Sequence, residues 1–200
     1  RWRDVRTRLH VPISDGIIEQ FEGYEDLEEF DWDGYRERYD DIQRLDRILE
    51  AEGDSPNRYK ASKQADVLML FYLFSAEQLV ELLGEMGIEF DPEWIPRNIA
   101  YYEDRTSHGS TLSRVVSAWV TARSRRGDSW DLFDGALRSD VEDIQGGTTP
   151  EGIHLGAMAG TVDLVQRCYA GLELRDDTLW LDPALPEELR EIRFRLRYRG

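Results

Sequence analysis

Apolar positions recur with two different periods along this chain, and the change between them divides it. Ala65 to Phe74 and Ala76 to Gly84 are rich in Leu, Met and Ala, with Phe71, Tyr72 and Phe74 interleaved. They are apolar nearly all round, as buried helices are. Asp91-Pro92 opens another helix, with aspartate at the cap, proline in the first turn and Ile95, Ile99 and Tyr102 at helical spacing. Ser110 to Arg123 places Leu112, Val115, Val116, Trp119 and Val120 on one stripe, and Ser129 to Ile144 repeats this with Leu132, Phe133, Leu137, Val141 and Ile144. Ile153 to Tyr169 follows, carrying Met158, Val162, Leu164, Val165 and Cys168. At the start, Trp2, Val5 and Leu9 among Arg3, Asp4, Arg6 and Arg8 predict a helix entered partway along, as in a piece of something larger.

Toward the C-terminus the period falls to two. Ile192, Phe194, Leu196 and Tyr198 alternate with arginines, which predicts a half-buried strand. Leu172-Glu173-Leu174 and Leu179-Trp180-Leu181 flank Asp176-Asp177, a pair that tolerates turn conformations, and predict a hairpin. Three strands are a small sheet, the start of a larger one. Residues 12 to 57 fit neither period: acidic, aromatic and glycine-bearing, they predict a long irregular connection with a short helix near Asp41 to Ala51.

Composition narrows the class of partner. The chain has 200 residues, 40% hydrophobic and 33% charged, as a folded soluble chain does. Its 41 acidic and 25 basic side chains give a formal charge of −16, which argues against sequence-independent binding to nucleic acid or to anionic membrane surfaces. No apolar run reaches membrane-spanning length, and the opening residues lack a secretory signal. Cys168 is the lone cysteine, so no intrachain disulfide forms and no metal site is expected, with a reducing cytoplasm as the default setting.

Three stretches do not behave as ordinary helix connections. Tyr59-Lys60-Ala61-Ser62-Lys63-Gln64-Ala65-Asp66 puts both lysines of the chain and a glutamine at the entrance to its most apolar helix. A solvated helix start fits this, and so does a sugar pocket, whose ligand hydroxyls both donate and accept. Asp104-Arg105-Thr106-Ser107-His108-Gly109-Ser110-Thr111-Leu112-Ser113 gathers small hydroxyl residues and a glycine before a helix. An N-cap with spare serines is one account. An anion site, built from free helix amides, hydroxyl donors and a glycine that permits close approach, is the other. Asp143-Ile144-Gln145-Gly146-Gly147-Thr148-Thr149-Pro150-Glu151-Gly152-Ile153-His154 ends one helix and starts the next, and lacks the Lys-Ser/Thr of a nucleotide phosphate loop.

Taken together, Lys63-Gln64-Ala65-Asp66, Thr106-Ser107-His108-Gly109-Ser110, and Gln145-Gly146-Gly147-Thr148-Thr149 with Glu151-Gly152-Ile153-His154-Leu155-Gly156-Ala157-Met158-Ala159-Gly160 resemble, in order and content, the second half of the catalytic domain of glycoside hydrolase family 65. That family contains inverting phosphorylases of maltose, trehalose, kojibiose and related α-glucosides, together with some hydrolases. The resemblance runs from about Ile17 to the end. It implies a mainly α fold: the later helices of an (α/α)6 barrel over residues 1–171, then the first strands of a C-terminal β-sheet over 172–200.

The resemblance also implies roles. Lys63 and Gln64 match the pair that holds the transferred glucose. Ser107, His108, Gly109, Ser110 and Thr111 match the phosphate-binding loop, with Ser110-Thr111 where the family commonly has Ser-Ser. His154 matches a histidine beside the phosphate, and Glu151 a glutamate without an assigned role. The family's catalytic acid, a glutamate in an Asp-Glu motif, falls upstream of this region, so no residue here takes that part. An anionic nucleophile removes the need for the base that an inverting hydrolase uses to activate water. The implied reaction is phosphate-dependent cleavage of an α-linked disaccharide to β-glucose 1-phosphate, with phosphate as co-substrate, no cofactor, and a homodimeric enzyme. A hydrolase of the same family and a non-catalytic interaction module remain the alternatives.

Overall fold

A computed structural model describes residues 4, 5, 8–144, 147, 149–175 and 177–198, with the backbone alone for Glu151. Of the opening helix, Asp4 and Val5 are helical, and Arg1, Trp2 and Arg3 lie outside the described residues. Residues 12–57 are more ordered than an irregular connection. Strands β1 (Ile13–Ser14) and β2 (Ile17–Ile18) pair antiparallel around Asp15-Gly16, both in the left-handed region at φ 48° and 76°. That Asp-Gly pair is the turn signal of a two-residue hairpin. Two helices follow, α1 (Trp32–Arg38) and α2 (Leu45–Ala51). The Asp31 side chain caps α1 by accepting from the Gly34 amide at 3.0 Å. Phe30, Leu45 and Leu49 are buried together against Trp32, Tyr35 and Tyr59, giving this segment an aromatic core of its own. The elements are too short to display a period, which is why the pattern reads as irregular.

The helices of the main body are α3 (Val67–Leu73), α4 (Ala76–Gly84), α5 (Trp94–Glu103), α6 (Thr111–Thr121), α7 (Arg126–Glu142) and α8 (Leu155–Asp163). Ser75 and Gln78 form a capping box at the start of α4, so the α3–α4 break is a designed stop between two apolar helices. This pair is bent by 116°, and among the described residues no single helix is long and apolar enough to cross a membrane.

Helix α6 is the hub. Val116 and Val120 face the largest cluster, with Leu68, Phe71, Leu79 and Tyr102; Val115 meets Ala136 of α7 and Ala157 of α8; Ala118 and Ala122 meet Phe133, Leu164 and Tyr169. Each buried valine contributes about 1.5–3 kcal/mol relative to an exposed one. The α6–α8 approach needs Gly160, since a Cβ there would lie 2.7 Å from Val115 Cγ1. The N-terminal hairpin is tied to α5 by fully buried Asn98, which accepts from the Ile18 amide and donates to the Gly16 carbonyl, both at 2.8 Å. Outward, Leu137, Val141, Leu155 and Val162 of α7 and α8 are exposed.

After α8 the chain continues as one π-helical segment, Leu164–Tyr169, which turns Cys168 and Tyr169 inward, where the Tyr169 hydroxyl donates to the Ser129 carbonyl at 3.2 Å. The predicted hairpin is present as β3 (Leu172–Arg175) and β4 (Thr178–Leu181), in register Leu172 to Leu181; Asp176 of its turn lies outside the described residues. Among the described residues the predicted third strand is not formed. Residues 191–198 pair with neither edge of the hairpin, and Phe194, Leu196 and Tyr198 are exposed. An alternating pattern supplies only one face of a strand; the backbone partner must come from elsewhere.

Candidate functional site

The first two stretches meet through backbone. Ser62 and Thr106 form an isolated parallel bridge: the Ser62 amide donates to the Arg105 carbonyl and the Ser107 amide to the Ser62 carbonyl, each at 2.8 Å. This puts Lys63 alongside the loop before α6. Gly109 sits so close that a Cβ would fall 2.9 Å from Lys63 Cγ and 2.2 Å from the Gln43 carbonyl oxygen. Glycine is required there for approach of chain to chain, since its own φ is not positive. Lys63 is exposed, and its charge reaches Asp46, whose carboxyl the Arg44 guanidinium and Lys63 together hold below the usual range. Gln64 is half-buried.

Within the loop, Thr106 and Ser107 are buried, their hydroxyls donating to the carbonyls of Tyr102 at 2.7 Å and Gln43 at 3.2 Å. Ser110 is the N-cap of α6, and its hydroxyl makes no capping bond to the first-turn amides, which leaves amides and hydroxyl side by side. Thr111 is buried at the first position of the helix.

His108 stands in the left-handed region at φ 54° and turns its ring inward. Nδ1 lies 3.0 Å from Ser113 Oγ, and Nε2 lies 4.0 Å from Glu103 Oε2. Burial, then the charge of Arg114, push its pKa down to about 4, so the ring is neutral at neutral pH. Glu103 is itself well buried beneath the loop, where Ser117 Oγ donates to Oε1 at 2.6 Å. Burial holds this carboxyl above its ordinary range, against the opposing pull of the Ser117 bond. A water-activating carboxylate must face the ligand; Glu103 instead underlies the histidine.

The third stretch is held by two aspartates a turn apart at the end of α7. Asp143 accepts from the amides of Gly147 at 2.8 Å and Thr149 at 3.0 Å. Asp140, whose side chain is 5% exposed, accepts from the His154 amide at 2.8 Å and lies 2.6 Å from His154 Nδ1. A carboxylate at Nδ1 takes the hydrogen bond there and fixes the direction of the ring. Gln145, Gly146 and Thr148 lie outside the described residues.

No hydrogen bond or ion pair joins His154 to the loop before α6 among the described residues. The link is Gln43, which accepts Ser107 Oγ on its carbonyl, accepts Arg114 Nη2 on its side-chain oxygen at 3.0 Å, and donates from Nε2 to the Ile144 carbonyl at 3.0 Å. Gln43, Glu103, Arg114 and Asp140 are the residues that sequence reasoning missed, and Asp143 stood in the third stretch without a role. Their partners lie up to 101 positions away, and only Asp140 and Asp143, one turn apart at a helix end, carried a local sign. At the other end of α6 a cleft of about 590 Å³, lined by Phe74, Trp119, Arg123, Arg167 and Arg175, holds none of these residues.

The family model "Glycosyl hydrolase family 65 central catalytic domain" matches residues 1–163, and that of the family's C-terminal domain matches residues 172–200. The chain belongs to glycosyl hydrolase family 65. An uncharacterized glycosyl hydrolase of Mycobacterium tuberculosis is 60% identical over 199 residues, covering 100% of this chain and 15% of that protein. The trehalose 6-phosphate phosphorylase of Lactococcus lactis is 40% identical over 198 residues, covering 98% of this chain and 26% of that enzyme. The kojibiose phosphorylase of Thermoanaerobacter brockii is 30% identical over 206 residues, covering 100% of this chain and 24% of that enzyme. Among solved structures, a putative kojibiose phosphorylase from the human microbiome superposes with a TM-score of 0.62 at 24% identity, covering 90% of this chain and 23% of that one. This chain thus spans between a seventh and about a quarter of the length of these family 65 relatives. The mainly helical body with a small C-terminal sheet fits the later part of the family 65 (α/α)6 barrel and the start of its β domain.

Proposed function

We propose that this chain carries the phosphate and donor-sugar side of an inverting α-glucoside phosphorylase. The observation that carries the proposal is the Ser62–Thr106 bridge, which sets Lys63 against a loop of neutral donors. In this reading Lys63 and Gln64 bond the hydroxyls of the transferred glucose. Amides and hydroxyls at His108, Gly109, Ser110 and Thr111, with His154, hold phosphate near the anomeric carbon, while Ser107, whose amide and hydroxyl donate to the Ser62 and Gln43 carbonyls, fixes the start of the loop. A phosphate oxygen forms the new bond to that carbon from the β face as the glycosidic C–O bond breaks. The leaving oxygen takes a proton from the family's glutamate, which the resemblance puts in sequence preceding this segment. Holding the nucleophile in line supplies a large part of the rate. Phosphate is a co-substrate and no cofactor enters. Residues 1–171 and 172–200 serve as barrel and β-domain portions of a homodimeric, cytoplasmic enzyme without nucleic-acid or membrane partners. The phosphorylase names of the relatives at 40% and 30% identity support this choice over hydrolysis.

The test is made on the full-length protein containing this segment. Release of glucose 1-phosphate from an α-linked disaccharide should require inorganic phosphate, and Ser110→Ala should raise the KM for phosphate roughly tenfold while changing that for the disaccharide little. Release of free glucose at the same rate without phosphate would replace this reading by the hydrolase one. Equal rises in both constants would make the loop structural.

A further inference from the structure

The loop before α6 offers a phosphate only uncharged donors, in a chain of formal charge −16. Removing a phosphate from water into such a field is costly unless a cation accompanies it. Of the chain's two lysines, Lys60 is engaged by Glu25 at 3.0 Å and Glu29 at 3.5 Å, and Lys63, exposed beside Gly109, is given to the sugar by the phosphorylase reading. Arg114 is different. It stands one turn after Ser110 on α6, so the two share a face of that helix. Its Nη2 donates to Gln43 Oε1, its Nη1 lies over Gly135 of α7, where a Cβ would meet it at 2.9 Å, and its Nε is buried with no partner. Arg38, Arg58, Arg105 and Arg138 each pair with a carboxylate within 3.2 Å, whereas among the described residues Arg114 has no such pair. Burial presses its pKa down, opposed only by the more distant Asp41, and its charge is felt at His108. A partly buried guanidinium with an unused N–H and no carboxylate in direct contact is an expensive arrangement to keep in an apoprotein. It is a suitable one if an anion arrives, because the guanidinium fork matches phosphate oxygens two at a time.

We propose that Arg114 is an additional phosphate-binding residue of this site, giving the loop before α6 the positive charge that its serines and amides lack. The proposal rests on the phosphorylase reading for its location and, for its chemistry, on the partnerless Nε of Arg114 and its lack of an ion pair among the described residues. Two sources of the phosphate group share that chemistry: inorganic phosphate and a phosphomonoester on the sugar.

The experiment compares wild type, Arg114→Gln and Arg114→Lys in the full-length protein. Arg114→Gln removes the charge and keeps a polar amide near the position of the arginine Nε, and the thermal midpoint of each variant is read beside its kinetics. If the ligand is inorganic phosphate, its KM rises roughly thirtyfold, the range for one charge-assisted hydrogen bond, while the KM for an unphosphorylated disaccharide stays put; Arg114→Lys recovers part of the loss. If the ligand is a sugar phosphate, the rise is confined to the phosphorylated disaccharide. Should wild type show no phosphate-dependent turnover, calorimetric titration with inorganic phosphate decides separately: binding by wild type that is lost in Arg114→Gln supports the arginine even as the phosphorylase reading fails. A folded Arg114→Gln whose affinities for both phosphate ligands equal those of wild type overturns the proposal, as does a uniform loss that tracks a lowered thermal midpoint.

Discussion

The entrances to α6 and α8 look alike in composition, both rich in glycine and hydroxyl residues, yet they are held in opposite ways. The loop before α6 is clamped by backbone: a parallel bridge to Ser62, buried hydroxyls, and a glycine pressed onto the Gln43 carbonyl. The loop before α8 is held by side chains, the carboxylates of Asp140 and Asp143 reaching back from the end of α7 to three amides and one imidazole. The first is a preset cradle with little freedom to adjust. The second is an aimed histidine, whose direction depends on a single residue. Backbone clamping resists most side-chain changes and fails abruptly when backbone approach is blocked; carboxylate aiming degrades gradually.

The sharpest break is Gly109→Ala. A methyl 2.2 Å from a backbone oxygen forces the two segments apart, at a cost of about 3 kcal/mol, at the upper end for overpacking. In the full-length protein the thermal midpoint should fall and the KM values for phosphate and disaccharide should rise together, because Lys63 and the loop move as one. Unchanged kinetics would mean that the clamp does not govern the site.

Asp140→Asn tests the other entrance. It keeps the size of the side chain but presents an amide to His154 Nδ1, and should lower kcat/KM by about 2 kcal/mol, the range for one bond to a charged group. The loss should appear in the KM for phosphate and leave the disaccharide's KM alone. Rescue by Asp140→Glu would mark the carboxylate as the agent.

The smallest effect concerns pH at the α6 entrance. The folded pKa of His108, about 4, lies below the unfolded value of 6.5, so the unfolded chain gains a proton first as pH falls and folding loses stability from about 6.5 down to about 4. For a ring partly reached by solvent the loss at pH 5 should be about 1–2 kcal/mol. Asparagine tolerates the left-handed φ of 54° and does not titrate, so His108→Asn should shrink the fall in thermal midpoint between pH 7 and pH 5. An identical fall in both proteins would place the acid sensitivity elsewhere.

What the sequence disclosed divides along the same line. Helices α3 to α8 were legible because each repeats an apolar period over two or more turns, and the cradle was legible because its glycine and hydroxyls are contiguous. Between 12 and 57 the elements were too short to carry a period, though Asp15-Gly16 was a turn signal that went unread. The alternation at 192–198 predicted a strand, and among the described residues no neighbouring strand pairs with it. Arg114 was indistinguishable from a solvated arginine on a helix face until Gln43 and Gly135 were seen around it.

Gln43 has a consequence for the order of assembly. Its partners stand 64, 71 and 101 residues along the chain. Helices form on neighbouring contacts in microseconds, whereas each of these three closures carries a loop entropy that only later packing offsets. A chain with every helix in place but residue 43 still undocked has secondary structure and no cradle; loop entropy alone puts that docking late in the order of assembly.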